Sequence, residues 1–168
     1  RNAIPRLLLG SLLLVSGTAL ADRCEFSASR NLDIDAAGVR NLVLEFGSDD
    51  LNLKGVPGQS RIEVRGRACA SSQASLDAMK LSQARSGDTV SVNVDKGELN
   101  GSWFGSNYAY IDLEVRVPQT LLVAIKRGSG DVEIENVAGV DSTAGSGDLD
   151  ARDITGPVVI KVGSGDAN

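Results

Sequence analysis

The 168-residue chain contains no histidine. Within these residues that excludes Ser-His-Asp and Cys-His catalysis, and zinc sites built on imidazole. Aromatic residues make up only 4% of the chain against 42% apolar residues, so a core has to be packed from small and β-branched side chains. The two cysteines, Cys24 and Cys69, lack the Cys-x-x-Cys spacing of a redox motif. No apolar run approaches the ~20 residues that a membrane-crossing helix needs. Basic charge is scarce toward the end of the sequence. From Gly128 to Asn168 eight acidic residues are opposed only by Arg152 and Lys161. Such a surface repels phosphate backbones, so nucleic acid is not an expected partner.

What is present begins with an export signal. Arg1 and Arg6 form a basic start, Leu7–Val15 a short apolar stretch, and Ala19-Leu20-Ala21 an A-x-A cleavage site. Residues 1–21 are therefore expected to be a signal peptide, with a retained membrane anchor as the alternative. No transmembrane helix is expected in the mature chain. Cys24 stands three residues past the cleavage site, which fits no lipidation box. Loss of Arg1 and Arg6 leaves 15 basic residues against 22 acidic ones. Export leads to an oxidising compartment, where an even pair of cysteines reads as a Cys24–Cys69 disulfide.

Nineteen glycines mark many turns, and the glycines repeat. Gly-Ser-Gly-Asp occurs at Gly128-Ser129-Gly130-Asp131, Gly145-Ser146-Gly147-Asp148 and Gly163-Ser164-Gly165-Asp166, at spacings of 17 and 18 residues. Alternation follows each copy. Val132 and Ile134 face one way and Glu133 and Glu135 the other, the period of a half-buried strand. Gly139 and Gly156 mark a second corner, where Pro157 supplies the extra residue of the longer spacing. The register then matches Val140, Ser142 and Ala144 with Val158, Ile160 and Val162, setting large residues beside small ones. An earlier copy, "GSDDLNLKGVPG", aligns without a gap from Gly47 through Asp50 to Gly58, with Asp49 in place of the second glycine. Asp tolerates a left-handed conformation, so a turn can survive there. "RSGDTVSVNV", residues 85–94, keeps the Ser-Gly-Asp but not the second corner. A fixed period of this length predicts an all-β chain with a β-solenoid or β-helix-like stack over residues 117–168. A β-rich N-terminal part covers residues 22–116, and the stack is expected to run on past residue 168. Residues 71–80 suit a short helix capped by Ser72 or Ser75. Trp103, Phe104, Tyr108 and Tyr110 form one aromatic cluster, read either as a carbohydrate- or partner-contact loop or as a lid over the end of the core.

Three chemical readings of Gly-Ser-Gly-Asp compete with a structural one. A serine nucleophile needs Gly-x-Ser-x-Gly and a base. A phosphate loop needs Lys-Ser/Thr and a following helix. Neither is present. Calcium suits carboxylate oxygens, and Asp131, Asp148 and Asp166 are the candidate ligands. The structural reading makes each copy a corner, with Gly128 and Gly130 free to take positive φ, and with Ser129 and Asp131 capping backbone N–H groups. Stacking would then place Asp131, Asp148 and Asp166 in a column of like charge.

"GSGDVEIENVAG", "GSGDLDARDITG", "YIDLEVRVP" and "RSGDTVSVNV" together resemble the bacterial "putative adhesin" domain, over residues 40–168. The resemblance implies a β-helix-like stack in the cell envelope or at the cell surface, and it supplies no catalytic residues. The chain is accordingly expected to be a non-enzymatic exported protein of the periplasm or cell surface, without a cofactor. Its partner would be an envelope protein, a glycan or a cell-wall component. A calcium-stabilised solenoid and a polysaccharide-active β-helix enzyme are the alternatives.

Overall fold

In the computed structural model the described residues are 24–97 and 107–168. The expected signal peptide, residues 1–21, and the aromatic pair Trp103 and Phe104 lie outside them.

Among the described residues, alternation of apolar and polar side chains accompanies twelve strands in two six-stranded sheets. The first sheet holds β1 (Phe26–Asp35), β4 (Arg61–Ala70), β7 (Ala109–Pro118), β3 (Leu51–Val56), β9 (Val132–Glu135) and β11 (Leu149–Arg152), in that spatial order. The second runs β12 (Val158–Ser164), β10 (Gly139–Ser146), β8 (Leu122–Ser129), β2 (Asn41–Ser48), β6 (Thr89–Asp95) and β5 (Lys80–Ser86). Pairing is antiparallel for β1–β4–β7 and β5–β6, and parallel elsewhere. Inward residues of the two sheets meet in one core that includes Leu42, Leu44, Leu53, Ile62, Ile125 and Ile134.

The chain passes from the second sheet to the first at Gly47–Asp50, Gly128–Asp131 and Gly145–Asp148. At Gly163–Asp166 it turns the same way, and Ala167 bridges to Leu149. Each passage through both sheets is a rung. Leu149 lies beside Val132 and Ala151 beside Ile134. Ser142 stands between Ile125 and Ile160, and Ala144 next to Val162. Small side chains therefore make room for large ones along the core.

The parts expected over residues 22–116 and 117–168 share both sheets. β7 spans the line between them, β3 sits between β7 and β9, and β2 sits between β6 and β8. The Ser-Gly-Asp at residues 86–88 differs from the other copies. It closes the antiparallel β5–β6 hairpin, with Gly87 at φ 59°, and does not change sheets. Arg40 pairs with its Asp88 at 2.6 Å.

One end of the stack is closed by the short helix α1 (Gln73–Ala78). Ser72 caps it by accepting the Ser75 N–H at 3.1 Å, and Leu76 and Met79 are buried beneath it. Arg30 donates to the carbonyls of Leu76 and Met79 at 2.8 Å each, satisfying the helix's C-terminal acceptors. Cys24 and Cys69 form a disulfide that ties the chain ahead of β1 to β4. At the opposite end Val158 and Val159 of β12 remain 47% and 44% exposed.

Candidate functional site

The four corners stack along one edge of the molecule, and their aspartates are linked in series. The Asp131 N–H donates to Asp50 Oδ1, the Asp148 N–H to Asp131 Oδ1, and the Asp166 N–H to Asp148 Oδ1, each at 2.9 Å. Carbonyls run alongside: Leu51 N donates to Asp131 O, Val132 N to Asp148 O and Leu149 N to Asp166 O. Each carboxylate thus braces the backbone of the next rung, not of its own turn. Charge-assisted bonds of this kind are the stronger hydrogen bonds of a protein.

The two glycines of each copy have different tasks. Gly130, Gly147 and Gly165 take φ of 101°, 95° and 125°, and a Cβ on Gly130 or Gly147 would strike a carbonyl oxygen of the neighbouring rung. Gly128, Gly145 and Gly163 have no positive φ, contrary to the turn expected at Gly128. They allow close stacking instead: a Cβ on Gly145 would lie 2.7 Å from Gly128 O. Ser129, Ser146 and Ser164 were expected to cap the turns. Among the described residues their hydroxyls make no hydrogen bond, because the strand pairing of Ser48 with Ser129 and of Ser146 with Ser164 already engages this stretch of backbone.

Asp49 also departs from the sequence expectation. It does not adopt the left-handed conformation of the glycine it replaces. Its neighbouring strand is β7, not another glycine corner, so its side chain has room to turn inward. There Oδ1 accepts the Ile111 N–H at 2.8 Å and pairs with Lys96 Nζ at 2.7 Å. Its Oδ2 is buried without a hydrogen-bond partner among the described residues.

Beneath the column lies a residue that the repeat pattern alone does not pick out. Arg127, 6% exposed, projects inward from β8 at the same parity as Val123 and Ile125. In register with Ala144, whose small side chain leaves space, it donates to Gly147 O at 3.3 Å and Asp148 O at 3.1 Å. Burial pushes its guanidinium below the usual value, while the charges of Asp131, Asp148 and Asp50 pull it back up. The column of acids therefore has a cation built into the core behind it. The sequence signal was available, since a strand residue two places after Ile125 must face the same way.

No group of three or more acidic or cysteine side chains among the described residues is arranged to hold a metal ion. A depression lined by Ser48, Asp49, Asp50, Tyr110 and Asp112 adjoins the first corner. Of the aromatic cluster, Tyr108 and Tyr110 are half-buried with ring centres 6.1 Å apart, and Tyr108 Oη accepts the Glu25 N–H. No helix among the described residues is long and apolar enough to cross a membrane.

No curated protein matches the chain. Among solved structures it is similar to a "putative cell adhesion protein" from Clostridium sporogenes ATCC 15579, at 11% identity and a TM-score of 0.53, covering 85% of this chain and 98% of that one. It is also similar to a "putative adhesin" from Bacteroides fragilis NCTC 9343, at 14% identity and a TM-score of 0.50, covering 85% of this chain and 62% of that one. At such identities the likeness is one of fold. A family model described as Toastrack DUF4097 matches residues 39–168, which takes in every corner and every described strand except β1. The chain belongs to the Toastrack DUF4097 family.

Proposed function

We propose that this chain is an exported, non-enzymatic interaction module of the cell envelope or surface, built as a rigid β-solenoid-like stack. The observation that carries this reading is the commitment of the acidic column to structure. Asp50, Asp131 and Asp148 each accept a backbone N–H of the next rung, and Arg127 stands behind them. Such a column holds no pair of carboxylates set apart for acid and base roles. What the molecule offers to solvent is two broad sheet faces. The Cys24–Cys69 disulfide fits an oxidising compartment, and the adhesin-like fold of the two solved structures fits a binding role.

The partner is an envelope protein, a glycan or a cell-wall component, and no cofactor takes part. Fractionation of the native host followed by capture from its envelope with the purified protein tests this. Recovery of the protein in the periplasm or on the surface, with saturable retention of envelope material, is expected. Recovery in the cytoplasm overturns the reading, as does polysaccharide cleavage that a single Asp131→Asn, Asp148→Asn or Asp166→Asn change abolishes.

A further inference from the structure

At one margin of the first sheet lies a row of unused backbone groups. β1 is the outermost strand there, with β4 on one side and no strand on the other among the described residues. Its register with β4 is unbroken over all ten residues, and it holds no proline, lysine or bulge of the kind that blunts an edge. Its one inward charge, Arg30, is engaged by the carbonyls of Leu76 and Met79. The ladder continues at Ala36, whose N–H donates to Ser60 O at 3.1 Å. That bond fixes the parity. Alternate residues of an antiparallel pair bond the partner, so Phe26, Ala28, Arg30, Leu32 and Ile34 bond β4. Ser27, Ser29, Asn31 and Asp33 turn their N–H and C=O groups outward. Among the described residues no acceptor meets those four N–H groups. Arg30 and Arg61 reach the carbonyls of Ser29 and Asp33 at 3.0 and 3.4 Å, and those of Ser27 and Asn31 stay open.

The side chains on the two faces of this edge specify what kind of strand fits it. On the inner side Phe26, Ala28 and Leu32 are half-buried, while their partners on β4, Ala70, Ala68 and Val64, are fully buried. The core is thus unfinished along this margin, and an added strand with an apolar residue at every second place would cover it. On the outer side β4 sets Arg61, Arg65 and Arg67 beside the short side chains of β1. Arg65 is held by Asp33 at 2.6 Å. Arg67 makes no hydrogen bond or ion pair among the described residues, although Asp112 stands opposite it on β7. Its neighbour toward the margin is Ser29. With strands ~4.8 Å apart, an arginine and a glutamate two strands from each other can meet over so small a residue.

We infer that β1 is a docking edge for an extended peptide strand of another protein, one that alternates apolar and acidic residues. Such a strand continues the ladder through its main chain. It lays apolar residues beside Phe26, Ala28 and Leu32, and it brings a carboxylate over Ser29 to Arg67. A second copy of this chain is a poorer match. Paired through its own β1 it would offer Asp33 and Asp35 as its only acids on the outer side. Both are already bound, Asp33 to Arg65 and Asp35 to the Ala37 N–H. The inference narrows the envelope-protein partner of the proposed function and rests on that reading.

The test is a ¹H–¹⁵N titration of the full chain at low salt with two heptapeptides at millimolar concentration, one alternating valine and glutamate, the other valine and lysine. The glutamate peptide should give saturable shifts and slowed amide exchange at Ser27, Ser29, Asn31 and Asp33. Changes at Ala28, Arg30 and Leu32, whose N–H groups already bond β4, should be much smaller. The lysine peptide should bind about fivefold more weakly. Arg67→Gln should remove that preference and Arg67→Glu reverse it, while Lys54→Ala, on the same face but paired with Glu135, should leave it unchanged. Absence of saturable shifts, shifts that lack the alternation or centre elsewhere, or a preference indifferent to both Arg67 substitutions overturns the inference. So does dimerisation in sedimentation that gives the same alternating protection with no peptide present, which assigns the edge to a second copy. If the protein still captures envelope material in those cases, the proposed function stands and only the docking edge falls. Cytoplasmic recovery of a chain that binds the glutamate peptide does the reverse.

Discussion

Replacing Asp131 with asparagine and with alanine separates a brace between rungs from a cation ligand. Asp131 Oδ1 accepts the Asp148 N–H at 2.9 Å. Asparagine keeps an oxygen at that place, whereas alanine leaves the N–H to water. Hydrogen bonds to charged groups contribute about 1.5–3 kcal/mol, and helix caps of similar geometry about 0.5–2 kcal/mol. The exposed setting of Asp131 places the alanine change near the lower figures, at about 1–2 kcal/mol. For a chain of this size ~1 kcal/mol moves the melting temperature by ~2–4 °C, so the loss should be about 2–8 °C. Asparagine also removes one negative charge from a crowded column, and its net effect should stay within ~0.5 kcal/mol. A calcium ligand would behave differently, because a neutral amide replaces a hard carboxylate poorly. Scanning calorimetry of the three proteins, in EDTA and in millimolar calcium, decides the matter. Asparagine as damaging as alanine, or a wild-type melting temperature raised by calcium and lowered by EDTA, would instead make Asp131 a cation ligand.

Cys24→Ser should destabilise the protein by about 4 kcal/mol on the chain-entropy model, since the bridge spans a sequence separation of 45 residues; urea unfolding with and without reductant measures it. Ser142→Ala should raise stability by about 1 kcal/mol in the same assay, because it removes a buried hydroxyl that has no partner between Ile125 and Ile160. Gly147→Ala should cost more than about 2 kcal/mol, while Gly58→Ala, at φ 73° but in open space, should cost only about 1 kcal/mol. Equal losses would show that conformation alone, and not stacking, requires glycine at the corner. A hydrogen bond from Arg65 holds Asp33 below the ordinary carboxylate range, and one from Arg40 does the same for Asp88. Both therefore favour folding above the unfolded value near 3.8 and lose that contribution as pH falls through their lower folded values. Acid unfolding curves of Arg40→Ala and Arg65→Ala should converge with wild type at low pH and in high salt.

The all-β character and the registers of Val132 with Leu149 and Ile134 with Ala151 were legible, because alternation and a fixed period specify which residues face inward and where the chain turns. The helix start at Ser72 was legible from capping chemistry. Other features depended on neighbours far along the chain. Whether a Ser-Gly-Asp changes sheets, as at residues 129–131, or closes a hairpin, as at residues 86–88, is decided by the strand on either side. The inward turn of Asp49 required β7 and Lys96 beside it. At the second corner the left-handed residues are Asn136 at φ 59° and Asp153 at φ 55°, not the glycines that mark it in the sequence. Asn136 also donates from its side chain to Gly55 O at 2.8 Å, a contact that only stacking creates. The acidic column was visible as a problem, whereas the Arg127 guanidinium behind it comes into view only when parity on β8 is followed past the apolar residues.

The placement of β2 and β3 inside the sheets has a consequence for the order in which the chain can fold. Among the described residues, their side-chain hydrogen bonds to the Gly128 rung join residues 81 positions apart: Asp50 with Asp131, Asn52 with Glu133, Lys54 with Glu135, Gly55 with Asn136 and Glu45 with Lys126. Until the Gly128 rung is delivered, the earlier strands lack these neighbours. During that interval Leu42, Leu44, Leu51 and Leu53 face water, and the strand edges that β8 and β9 will occupy are open to other chains. The stretch from Asn41 to Val56 thus has to be kept from other chains until its later neighbours arrive, although it ends inside both sheets.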